Sequence, residues 1–139
     1  MDYESYQRNY FVDPQPEPRI EYLGLHSVTL FFSDFEAAVE YYTRVLGPPD
    51  YVEGAATRGW QLGNTWLTLL EWEKGSSRNV EFNIVMKTSQ EAERLQSTFI
   101  EAGGSGEPHS DRLMYEPVRF CPVVNPFGTN ILILSRLSD

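Results

Sequence analysis

The stretch Leu25-His26-Ser27-Val28-Thr29-Leu30-Phe31-Phe32, continued by Ser33-Asp34-Phe35-Glu36-Ala37-Ala38-Val39-Glu40-Tyr41-Tyr42-Thr43-Arg44-Val45-Leu46-Gly47, decides how the chain is read. Its first part is rich in β-branched and aromatic residues and predicts a strand over Leu25 to Phe32. Ser33 then offers an N-cap, with Glu36 three residues later completing a capping box. Phe35, Ala38, Val39, Tyr42 and Leu46 recur at helical spacing and give one apolar stripe. Gly47-Pro48-Pro49 stops that helix.

Downstream, short strands are expected near Tyr51 to Ala56, Thr57 to Leu62 and Thr65 to Trp72, with Gly63-Asn64 as a two-residue hairpin turn. Glu73 to Asn79, containing Gly75-Ser76-Ser77, reads as the internal linker. The pattern then restarts. Val80 to Lys87 alternates as a half-buried strand should, Thr88 and Glu91 form a second capping box, and Ala92, Leu95, Phe99 and Ala102 form a second helical stripe that ends at Gly103-Gly104. Ser105 to Arg112 reads as loop, and strands follow at Tyr115 to Val124 and Thr129 to Ser135, joined by Asn125-Pro126-Phe127-Gly128.

Writing one half over the other at a shift of 55 places Ser33 on Thr88, Glu36 on Glu91, Ala37 on Ala92, Thr43 on Thr98 and His26 on Glu81. The expected fold class is therefore α+β: two βαβββ modules, about 23–73 and 79–136, form a curved mixed sheet around a cavity with helices outside. The domain is expected over 23–139. Residues 1–22 read as an arm, in which Tyr3, Tyr6, Tyr10 and Phe11 show neither helical nor strand period and Pro14, Pro16 and Pro18 forbid regular structure. Such an arm is either a mobile tail or a segment that packs its rings on its own domain or on a second subunit.

A length of 139 residues suits one domain, and 41% hydrophobic content excludes a disordered chain. No apolar run approaches a membrane span, the first 22 residues lack a signal peptide's apolar stretch, and one cysteine, Cys121, excludes an intrachain disulfide. A cytoplasmic location without membrane contact is expected. The formal charge of −9 repels phosphate backbones, so no nucleic-acid partner is expected. No phosphate-binding glycine loop, nucleophile elbow or dinucleotide fingerprint is present.

The two segments quoted first, with Asn125-Pro126-Phe127-Gly128-Thr129-Asn130 before the last strand, resemble the vicinal oxygen chelate superfamily of glyoxalase I, bleomycin-resistance proteins, fosfomycin-resistance enzymes and extradiol dioxygenases. The resemblance covers about residues 23 to 136. It implies paired βαβββ modules, usually in a homodimer whose cavities draw on both modules, and, in the enzymes, a divalent metal on three or four side chains. Carried over residue by residue, the first-strand histidine is His26 and the second module's opening-strand slot holds Glu81. The last-strand glutamate slot holds Leu132, and the fourth-strand glutamate falls nearest Thr68, with Glu71 three residues on and facing away unless a bulge intervenes. Two credible ligands are fewer than a catalytic metal needs. The expectation is no metal cofactor; the alternative is Zn, Ni, Fe or Mn held by His26, Glu81 and Glu71.

By strand parity, His26, Trp66, Thr68, Glu81, Asn83 and Leu132 face the cavity as ligand-binding residues, with Trp60 and Trp72 extending the wall. Phe82, Ile84, Met86, Ile131 and Ile133 take the helix side. His109 reads as surface, Cys121 as an inert buried thiol, and Arg119 as either an anion anchor or an exposed strand charge. The leading functional expectation is a glyoxalase/bleomycin-resistance-like protein that binds a small organic ligand in a dimeric cavity. Enzyme status is left open: the alternative is a metal-dependent lyase or dioxygenase of the vicinal oxygen chelate type. A third possibility is an assembly module whose arm docks a partner.

Overall fold

Val28, Leu30 and Phe32 alternate with Ser27, Thr29 and Phe31 along the first strand of the domain, and the first set turns inward while the second is exposed. The computed structural model describes residues 1–137; the last two positions of the expected domain lie outside the described residues. Its elements are α1 (Tyr3–Tyr10), β1 (Ser27–Phe32), α2 (Phe35–Leu46), β2 (Tyr51–Glu53), β3 (Thr57–Leu62), β4 (Thr65–Glu71), β5 (Glu81–Met86), α3 (Ser89–Glu101), β6 (Ser105–Gly106), β7 (Ser110–Met114), β8 (Glu116–Val124) and β9 (Asn130–Arg136). The first module's sheet has the order β1-β4-β3-β2; the second runs β5-β9-β8-β6, with β7 also pairing β8. In both, the opening strand lies parallel to the closing one, Ser27 opposite Trp66 and Glu81 opposite Asn130. This is the expected α+β architecture of repeated modules.

Helices α2 and α3 each cover one face of their own sheet. Phe35, Ala38 and Tyr42 of α2 are buried in one core with Leu30, Phe32, Trp60, Leu67 and Leu69, and Ala92 and Phe99 of α3 with Phe82, Cys121, Ile131 and Ile133. The modules join through α2. The Tyr41 phenol donates 2.9 Å to the Phe99 carbonyl, and Asn125 Nδ2 donates 3.0 Å to the Tyr42 hydroxyl. Asn125 Oδ1 in turn accepts from the backbone of Phe127 and Thr129, which shapes the turn before β9. Burial pushes both phenols up, Tyr41 to about 12 and Tyr42 further.

Several expectations change in detail. The side chain that caps α2 is Asp34, accepting from Ala37 N, rather than Ser33, whereas Thr88 caps α3 as expected. With caps at 34 and 88 and strands opening at 27 and 81, the modules superpose at a shift of 54, which pairs the fully buried Ala38 and Ala92. Ser27, not His26, is thus the counterpart of Glu81. The stretch expected as loop, Ser105 to Arg112, instead carries β6 and the start of β7, one edge strand interrupted at Glu107 to His109. Gln96 bridges the interruption, its Nε2 donating to the carbonyls of Glu107 and Pro122. The linker is tightly seated: a Cβ on Gly75 would come within 2.5 Å of Phe32 N.

The arm also differs. Tyr3, Tyr6 and Tyr10 sit at i, i+3 and i+7, and α1 forms where no helical period was expected, capped by Asp2. It touches its own domain through two phenols. Tyr6 Oη accepts from the Tyr115 amide at 2.7 Å, and Tyr3 Oη donates to the Tyr115 carbonyl at 3.3 Å. Tyr115, at the tip between β7 and β8, has a positive φ of +65°, uncommon for a residue with a side chain. Ile20, Tyr22, Leu23 and Leu25 between α1 and β1 are exposed.

Candidate ligand-binding site

The face of the first sheet turned away from α2 carries Ser27, Thr29 and Phe31 of β1, Trp66, Thr68 and Leu70 of β4, Thr57, Gly59 and Gln61 of β3, and Tyr51 and Glu53 of β2. These positions follow from register: Tyr51, Gly59, Thr68 and Thr29 form one row across four strands, and Gln61, Trp66 and Ser27 the next. The face holds a mostly apolar hollow of about 240 Å³ lined by His26, Ser27, Tyr51, Gly59, Trp66 and Thr68.

Three expected site residues, His26, Trp66 and Thr68, therefore meet. His26 lies just before β1 rather than within it, so its ring enters from the end of the strand while Ser27 supplies the strand's own inward position. Its Nδ1 lies 3.3 Å from Ser27 Oγ. Tyr51, Gly59 and Ser27 are lining residues that strand-by-strand parity did not single out, because two of them lie on strands whose phase is set only by pairing. The Tyr51 phenol donates to the Glu53 carboxylate, and that bond raises the phenol's pKa.

The other three expected residues lie on the second sheet. Glu81 and Asn83 are exposed on the face turned away from α3, and Leu132, paired with Asn83, shares their phase but is buried. The helix side takes Phe82, Ile84, Met86, Ile131 and Ile133, as expected from alternation. Trp60 corrects the parity argument. It pairs with Leu67, the opposite face from Trp66, so it is buried in the core and donates to the Gly47 carbonyl at 2.9 Å. Trp72, by contrast, follows β4 on the open side and meets Phe31 edge-on at 5.8 Å.

The donor set does not fit a divalent metal within the chain. β4 runs without a bulge, so Glu71 pairs with Phe32 and points to the helix side. His26 and Glu81 stand on different sheets, and Leu132 offers no oxygen. Among the described residues no three His, Cys, Asp or Glu side chains converge.

Other polar groups are engaged elsewhere. Arg119 grips Asp111 at 2.8 Å and Glu93 at 3.3 Å, which lowers the Asp111 carboxyl's pKa and engages the guanidinium with carboxylates rather than with an external anion. His109 lies 3.3 Å from Glu93 on the surface, and burial pushes the Cys121 thiol up.

No protein-family model and no curated protein sequence matches the chain. Solved structures match it over most of its length. A glyoxalase/bleomycin resistance protein from Albidiferax ferrireducens superposes with a TM-score of 0.68 at 16% identity, covering 80% of this chain and 98% of that one. The chain has the glyoxalase/bleomycin-resistance fold. A virulence protein from Salmonella typhimurium (0.68, 17% identity, 85% and 100% covered) and a lactoylglutathione lyase from Agrobacterium tumefaciens (0.65, 14%, 83% and 95%) share it. The vicinal oxygen chelate resemblance read from residues 23 to 136 thus holds at the level of fold. Among the described residues no helix is long and apolar enough to cross a membrane.

Proposed function

We propose that this glyoxalase/bleomycin-resistance-like protein binds a small organic ligand in the hollow of its first sheet, without a resident metal, as a homodimer in the cytoplasm. The observation that carries the reading is the hollow itself: apolar walls from Tyr51 and Trp66, a polar edge from His26, Ser27 and Thr68, and, among the described residues, no converging group of three His, Cys, Asp or Glu donors. The dimer is supported by surface. Phe31, Trp72 and Val85 are each at least 42% exposed on the two open faces. A second copy seated there would turn the hollow into a cavity and bring Glu81 and Asn83 of one sheet toward the other. The buried, unpaired Cys121 is compatible with a reducing compartment.

Elemental analysis of protein purified without chelators, then soaked in zinc, nickel, iron and manganese, tests the metal-free reading. The expected result is no stoichiometric metal. About one ion per subunit, lost together in Glu71→Ala and Glu81→Ala, would overturn it in favour of a metal-dependent lyase or dioxygenase. Light scattering should give twice the chain mass; a monomer at micromolar concentration removes the dimer.

A further inference from the structure

We infer that the hollow selects a planar aromatic ring bearing a neutral hydrogen-bonding substituent, and that Gly59 is a specificity-determining residue; this deepens the ligand-binding reading and rests on it. Gly59 lies inside β3 with ordinary extended backbone, so its conformation does not demand glycine. A glycine inside a strand weakens it, and it marks a place where something approaches the backbone closely. Here the approaching group is Trp66. A Cβ on Gly59 would lie 3.4 Å from Trp66 Cε3 and 3.3 Å from Tyr51 Cβ. A methyl there would meet the indole at ordinary contact distance and press only on Tyr51 Cβ, so it is a bulkier side chain that the indole's position excludes.

Tyr51 then rises beside the indole at an interplanar angle of 74°, ring centroids 6.4 Å apart. Floor and wall make an aromatic corner that an offset-stacked or edge-on ring can fill on both sides, which a puckered ring cannot match. The volume agrees: an apolar cavity of about 150 Å³ accepts benzene, so 240 Å³ takes a ring with a substituent or a fused pair. The corner's polar groups lie to one side, at His26, Ser27 and Thr68, and fix which edge of the ring carries the substituent. The Glu53 carboxylate held by Tyr51 and the net charge of −9 disfavour an anion there.

The test compares 2-naphthol with its saturated counterpart 2-decalol, both neutral, by calorimetry on the full-length protein. Naphthol should bind at least tenfold more tightly. Trp66→Leu and Gly59→Val, each checked for an unchanged circular dichroism spectrum, should reduce that ratio to near one; Gly59→Ala, whose Cβ meets Trp66 at ordinary contact and asks only Tyr51 to give by a few tenths of an ångström, should reduce it partly. Equal affinity of both probes for the natural protein would overturn the planar-ring inference and leave the ligand site standing. A naphthol preference that survives both Trp66→Leu and Gly59→Val would do the same. Failure of both probes to bind at millimolar concentration would overturn the ligand-binding reading together with the inference.

Discussion

The two modules share a topology and differ in what they put on it. The first is aromatic on both faces: Phe32, Tyr42 and Trp60 inside, Phe31, Tyr51 and Trp66 outside. In the second, Gln96 occupies the position equivalent to Tyr42, and the open face carries Glu81, Asn83, Val85 and Arg112, the last lying 5.3 Å from the Phe120 ring. The edge strand β2 is short but continuous, whereas its counterpart is split into β6 and β7. The duplicated scaffold thus carries an aromatic open face in one half and a more polar one in the other. Neither half's role follows from the fold alone.

The largest effect expected from this division separates two tryptophans a hairpin apart. Trp60→Ala empties a fully packed site and should cost about 3–5 kcal/mol in urea unfolding, while Trp66→Ala, on the open face, should cost below about 1 kcal/mol and act on ligand affinity. Similar losses for both would break the assignment of opposite faces.

The buried phenols of Tyr41 and Tyr42, absent from the second module's helix, predict alkaline sensitivity. With Tyr41 held at about 12 in the folded chain and near 10 unfolded, the unfolded state releases its proton first as pH rises. Stability is therefore complete below pH 10 and falls between 10 and 12, by about 1.4 kcal/mol per pH unit for one such group. Unfolding curves across pH 9 to 12 should be flatter in Tyr41→Phe. An identical slope would show that these phenols are not the cause.

The smallest effect belongs to the second module. Gln96→Leu leaves the Glu107 and Pro122 carbonyls without their donor, at a cost of about 1–3 kcal/mol. Amide exchange should rise at the β6–β7 interruption more than in β9. A uniform rise would mean that the interruption is not a local seam.

Much of this was legible beforehand. Strand, helix and stop between Leu25 and Gly47, the Gly63-Asn64 turn and the Thr88 cap follow from local chemistry, and local chemistry is what a sequence displays. The errors share a cause, since each depended on a partner elsewhere in the chain. Ser33 and Asp34 are both good caps, and the helix starts at the one that buries Phe35, Ala38, Tyr41 and Tyr42 together. Trp60 and Trp66 share parity within the chain, but the pairing of Trp60 with Leu67 puts them on opposite faces. Tyr51 and Gly59 become site residues only once β2 is registered on β3 and β3 on β4. The helical spacing of Tyr3, Tyr6 and Tyr10 was visible but lacked an apolar background to announce it. Glu107-Pro108-His109 resembles a loop because it is one, a short gap inside a strand.

The grip of Tyr3 and Tyr6 on Tyr115 spans 112 and 109 residues of sequence. On a ribosome, those tyrosines emerge more than a hundred residues before their seat and stay undocked until the β7–β8 tip has been made. Their docking therefore follows the synthesis of α3, β6 and β7 and ties the arm to the second module rather than to the first.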